Sequence, residues 1–251
     1  MKINNLTNNN RIITATLGNF SVIEYGADLS LSPLTAQTGF FMSKMGVRRR
    51  QVIIKMDGSK TAVLQSGAMQ WMLGNINMSS GIKGAGDFLG KMVASKVTGE
   101  TASKPLYNGQ GYVMLEPTYR HIILVDVSQW GSIVLQDGLF LACDQSLQEQ
   151  VVARSNVSSA VLGGEGLFNL SLSGQGVAVL ESPVPKTELI QFNLQNDVVK
   201  IDGNMAIAWS SSLQFTVEKS SKSLLGSAVS GEGLVNVYRG TGSILMAPTS
   251  K

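Results

Sequence analysis

The sequence predicts an all-β protein: three similar β modules packed about a pseudo-threefold axis, with one short helical insert in the first. Three observations carry this. Strand-sized apolar runs recur along the chain, among them Val52–Ile54, Ile122–Val127, Ser132–Leu135 and Leu189–Leu194, at the spacing of about 8–12 residues expected of β folds. The same turn markers appear three times in the same order. The helical crossovers that a parallel α/β sheet requires are missing between the runs.

The markers begin with an Asp-Gly pair, at Asp57-Gly58, Asp137-Gly138 and Asp202-Gly203. A Gly-Glu pair follows, at Gly99-Glu100, Gly164-Glu165 and Gly231-Glu232. Each unit closes on a Gly-x-Gly and an apolar strand: Gly109-Gln110-Gly111, Gly174-Gln175-Gly176 and Gly240-Thr241-Gly242. Glycine supplies positive φ without steric cost, so both glycine signals read as tight hairpin turns. A dinucleotide or phosphate loop would need a helix behind the glycines, and here strands follow.

The first unit is longer than the others between Asp-Gly and Gly-Glu by about 14 residues, judged from the marker spacing. The excess falls at residues 80–97, where Phe88, Leu89, Met92 and Val93 give a helix-like pattern behind Asp87, a residue suited to capping. This is read as the only substantial helix. Module boundaries fall near 11–117, 118–184 and 185–248. Units this small cannot bury a good core alone, so residues 1–251 are expected to form one compact domain sharing a core.

Composition narrows the function. Hydrophobic residues make up 43% of the 251 and charged residues 15%, with a net charge of +3. That charge is too slight to single out a nucleic-acid or membrane partner. No run reaches the length of a membrane span and Met1–Asn10 lacks a signal-peptide pattern, so a cytoplasmic protein is expected. One Cys and one His exclude a Cys/His zinc site of the usual kind and an intrachain disulfide.

Chemistry is sparse. His121 opens a strand, and Cys143 lies in the apolar run Leu139–Cys143 with no nucleophile elbow, so no catalytic triad is supported. No cofactor is expected. Glu100, Glu165 and Glu232 would converge on a hard cation only if the units met around an axis. The basic residues that could contact RNA are Arg48-Arg49-Arg50, with Lys44 and Lys55 nearby, and Lys219 and Lys222 late in the chain, though aromatic residues, which stack bases, are not interleaved with the arginines. Methionines concentrate early in the chain. Met69, Trp71 and Met72, with Phe88, Leu89 and Met92 of the insert, form the expected interface for a protein partner or a second copy.

The run Val161-Leu162-Gly163-Gly164-Glu165-Gly166-Leu167-Phe168, followed by Gly174-Gln175-Gly176, recurs as Val229-Ser230-Gly231-Glu232-Gly233-Leu234-Val235-Asn236 with Gly240-Thr241-Gly242. With Phe20-Ser21-Val22-Ile23-Glu24-Tyr25 near the start, this resembles a bacterial family, long catalogued as a domain of unknown function. That family is related to the mitochondrial biogenesis protein of the altered-inheritance-of-mitochondria set. The resemblance covers roughly residues 11–248 and implies a β fold like that of the trp RNA-binding attenuation protein. It implies no catalytic residue, cofactor or substrate. The expected function is a non-enzymatic β scaffold acting through protein or subunit contacts. An RNA- or small-ligand-binding module is the alternative, and an unrecognised enzyme comes last.

Overall fold

The computed structural model describes residues 2–80, 104–153, 168–219 and 234–249. Nearly all regular structure is strand. An N-terminal hairpin of β1 (Arg11–Leu17) and β2 (Phe20–Tyr25) precedes a first segment with β3 (Arg50–Asp57), β4 (Ala62–Leu64), β5 (Met69–Ser79) and β6 (Leu106–Leu115). The second segment holds β7 (His121–Asp126), β8 (Ser132–Leu135), β9 (Phe140–Asp144), β10 (Gln148–Ala153), β11 (Phe168–Ser173) and β12 (Val177–Ser182). The third holds β13 (Ile190–Asp202), β14 (Ala206–Ser210), β15 (Gln214–Lys219) and β16 (Leu234–Met246). These strands build one nine-stranded and one seven-stranded sheet, and every ladder is antiparallel.

The apolar runs look continuous because both faces of a strand are covered. Val52 and Ile54 enter one core cluster while Ile53 between them enters another. Ile133 and Leu135 bury in the cluster of the second segment, and Val134 turns into that of the third. The period-2 rule still holds, with a separate core on each side.

The three segments share one ladder plan. The stretch after Gly-x-Gly pairs with the segment's first strand: β6 with β3, β12 with β7, and the end of β16 with the start of β13. The stretch before it pairs with the second strand: β6 with β4, β11 with β8, and β16 with the latter half of β13. The other side is covered by β5 in the first segment, by β9 and β10 in the second, and by β14 and β15 in the third. A register shift interrupts each cover at the same place, at Met69/Trp71, opposite Val179/Leu180, and at Ala206/Ala208.

Two further ladders join neighbours. β4 pairs with β9, Val63 opposite Cys143, and β8 pairs with β14, Val134 opposite Trp209. Each joint drives a valine into the next segment's core, a burial worth about 1.5–3 kcal/mol for one side chain. The expected axis would need a third joint, from the third segment back to the first. No β13–β5 ladder occurs among the described residues.

This register corrects the marker reading in two ways. The turn that matches Asp137-Gly138 and Asp202-Gly203 is Ser66-Gly67, since all three precede the strand that bears the shared register shift. Asp57-Gly58 bends the chain elsewhere, between β3 and β4, with Gly58 at φ 88°. The first segment is therefore closer in length to the others than the marker spacing implies.

The Gly-x-Gly pairs also differ from expectation, because they do not form hairpins. Gly109 and Gly111 lie inside β6, and Gly240 and Gly242 inside β16. Gly174 and Gly176 join β11 and β12, which belong to different sheets. Space is the reason for glycine. A Cβ on Gly111 would stand 1.9 Å from the Leu73 carbonyl oxygen, and one on Gly242 would stand 2.8 Å from Ser210 Cβ.

The structure has a helix that the sequence reading missed, α1 (Ala36–Lys44), between β2 and β3. The expected insert at 80–97 lies, beyond Ser80, outside the described residues, as do Phe88, Leu89 and Met92.

Candidate interaction surface

The connection from β2 to β3 makes a long excursion, residues 26–49, without counterpart in the other segments. It has little intrinsic reason to be helical. Thr35 at the start of α1 makes no side-chain cap, the first turn has no acid, and Gly39 sits mid-helix. Tertiary contacts hold it instead. Leu31 lies over Gly39 so closely that a Cβ there would meet Leu31 Cδ1 at 1.8 Å. Ser43 Oγ donates to the Gly26 carbonyl at 2.6 Å.

Its base is ionic. Arg49 Nε lies 2.8 Å from Asp28 Oδ2, and the Tyr119 hydroxyl, itself an acceptor from Arg49, donates to Asp28 at 2.9 Å. Hydrogen bonds from Ser30 first, and then from Tyr119 together with the Arg49 charge, hold the Asp28 carboxyl below its usual value against the opposing effect of burial. Arg48 and the buried Arg50 both reach Glu24, at 3.1 and 2.8 Å. All three arginines of the basic run are thus engaged in anchoring this excursion.

Among Ser30, Thr35, Gln37 and other exposed polar residues, the excursion presents many large apolar side chains. Leu29, Leu34, Phe40, Phe41, Met45 and Val47 are all exposed, Leu34 at 96% and Met45 at 79%. Phe40 and Phe41 meet edge to face at 5.6 Å, and Lys44 Nζ sits 5.4 Å from the Phe40 ring. No residue of α1 is buried. Clusters of large apolar side chains left in water on this scale mark contact surfaces. The sequence signal was available in Leu29-Ser30-Leu31-Ser32-Pro33-Leu34 and Phe40-Phe41-Met42, a stretch without acidic residues between Leu29 and Val47. Its apolar residues keep neither a strand nor a helix period along the stretch, so periodicity alone does not reveal them.

The residues singled out from sequence scatter. Met69, Trp71 and Met72 lie together on β5, with Met72 45% exposed. Glu100, Glu165 and Glu232 lie outside the described residues, where their convergence on a cation is not described. Among the described residues no cluster of three potential metal ligands occurs. Cys143 is fully buried, and burial pushes its thiol far above the ordinary range. His121 is half-buried at the start of β7, where burial first and the Arg50 charge second lower its pKa below the usual 6.5, with Glu24 opposing.

One cleft of about 470 Å³ lies between the second and third segments. Asp126, Gln129, Trp130, Lys186, Gln191 and Ser210 contribute to its lining. Asp126 is already committed to capping the turn at Val127–Trp130, accepting from the Ser128 N–H at 3.0 Å and the Ser128 hydroxyl at 2.6 Å.

The sequence profile of the mitochondrial biogenesis AIM24 family matches residues 42–249. The chain belongs to that family. The chain is 29% identical over 201 residues to an uncharacterized protein of Streptococcus pyogenes serotype M6, covering 77% of this chain and 79% of that one. It is also similar to the crystal structure of protein SPYM3_0169 from Streptococcus pyogenes, with a TM-score of 0.59 and 26% identity over 81% of this chain and 89% of that one. The family match begins at residue 42, so most of the excursion that carries the apolar cluster precedes it. No helix among the described residues is long and apolar enough to cross a membrane.

Proposed function

We propose that this AIM24-family chain is a non-enzymatic β scaffold that acts by protein–protein or subunit contact, with the β2–β3 excursion as its main contact surface. The observation that carries the reading is the exposure of Leu29, Leu34, Phe40, Phe41 and Met45 within one short excursion whose base is tied down by Arg48, Arg49 and Arg50. An apolar surface on a fixed base needs little ordering when a partner binds, which favours association. The three similar β segments form the frame that presents it.

The test is affinity capture of the tagged chain from its native cells, wild type beside the double variant Phe40→Asp/Phe41→Asp, with the fold of both checked by circular dichroism. The reading expects a protein recovered in stoichiometric amount with the wild type and lost with the variant. Equal recovery by both proteins contradicts it.

A small-ligand reading stands second, favoured by the cleft lined by Asp126, Gln129, Trp130 and Lys186. Ligand-dependent shifts in melting temperature that Trp130→Ala removes would support this alternative.

A further inference from the structure

Two edges of the fold are the unmatched halves of the joint that connects its segments. Among the described residues β13 pairs only with β16, and β5 only with β6. The Gly-x-Gly positions fix the correspondence. Val63 pairs with Leu106 and Val134 with Ser171, each three residues before the first glycine, and Lys200 pairs with Val237 at the same distance. Cys143 pairs with Ala178 and Trp209 with Ile244, each two residues after the second glycine, and Met72 pairs with Val113 there. The faces agree as well. Val199 and Ile201, on either side of Lys200, pack into the third segment's own core, as Ile133 and Leu135 pack into the second's.

We propose that β13 of one copy docks on β5 of a second copy, head to tail, by the joint the chain already uses twice internally. The register is then antiparallel, with Val199 opposite Leu73, Lys200 opposite Met72 and Ile201 opposite Trp71. A second copy is the fitting occupant because one chain carries both halves of the joint, each with an exposed apolar residue, Val198 at 47% and Met72 at 45%. Unpaired strand edges are templates for such addition. The contact is heterologous, so it leaves one further edge of each kind free for continued assembly or ring closure.

One residue departs from the internal joints. Lys200 stands where Val63 and Val134 enter a neighbour's core. An ammonium cannot follow them, so its stem lies along Met72 and its charge stays in water. The intermolecular joint is accordingly weaker than the internal ones and reversible. This goes beyond the excursion surface and does not depend on it.

The test is the full chain carrying Lys200→Cys and Met72→Cys, oxidised and run without reductant. The single native cysteine is buried and does not interfere. The expected product is a series of interchain disulfide oligomers, absent from each single variant. Light scattering on chains without added cysteines should show association strengthened at least tenfold by Lys200→Val and lost with Met72→Lys, which sets like charges opposite each other at an exposed edge. Only intrachain bridging, or no bridging, or a Lys200→Val chain that stays monomeric, overturns the proposal. Phe40→Asp/Phe41→Asp should leave the cross-link unchanged, so failure here and failure of the excursion surface read out separately.

Discussion

Val134 of the second segment stands opposite Trp209 of the third, in the ladder that joins β8 to β14. The valine is buried in the core where Trp209 meets Tyr238 edge to face at 5.3 Å and stacks on Phe215 at 5.5 Å. The joint between segments is therefore part of the third segment's core, and weakening it should loosen the whole chain.

Val134→Ala should cost about 2 kcal/mol of stability, from the lost burial and the cavity left against Trp209. Urea unfolding should show a lower midpoint at unchanged slope. A second, earlier transition would mean instead that the third segment unfolds on its own.

Glycine substitutions should separate two kinds of need. Gly138→Ala meets only the conformational cost of φ 71°, with nothing within 4 Å of the new Cβ, about 1–2 kcal/mol. Gly111→Ala forces backbone apart, because the Leu73 carbonyl oxygen occupies the space, and should break the β5–β6 ladder or prevent folding. Comparable thermal stability of the two variants would refute the close-packing account.

Acid sensitivity should begin with His121. Its folded pKa lies below the unfolded value of about 6.5, so the unfolded chain binds the extra proton first. Stability from this group is complete above pH about 6.5 and declines as the pH falls below it. His121→Gln should flatten that decline in melting temperature. Asp28 has a lowered carboxyl pKa, and its stabilisation is lost only in more acidic solution, below its usual 3.8, so the two effects are resolved along the pH axis.

Cys143 should be inert to thiol reagents in the native chain, since burial keeps it protonated and out of reach. Ellman's reagent should find no thiol until denaturant is added, and then one per chain. Prompt native labelling would show that β9 opens readily.

The β character was legible because Val52–Ile54, Ile122–Val125 and Ser132–Leu135 are too short for helices and rich in β-branched residues, and each is a strand in the structure. The marker order was visible too, but its meaning was only half right. Asp57-Gly58 looks like Asp137-Gly138 in sequence, yet register assigns that place to Ser66-Gly67, and register is set by partners far along the chain. The glycines of Gly109-Gln110-Gly111 are there because β6 runs so close beside β5 that a Cβ would strike the Asn75 and Leu73 carbonyl oxygens, which a local reading mistakes for a hairpin. Helix α1 carried no legible signal because its start is uncapped and tertiary contacts from Leu31 and Ser43 hold it in place. The apolar residues of the surface, Leu29, Leu34, Phe40 and Phe41, are visible in the sequence, but nothing local to them tells that they stay in water.

The most direct test of that surface is a photo-crosslinking amino acid placed at Phe41 in the native cell, with Glu188, exposed and distant in sequence, as control. The account predicts one discrete protein adduct from position 41 and none from position 188. No adduct at 41, or the same adducts from both positions, would contradict it.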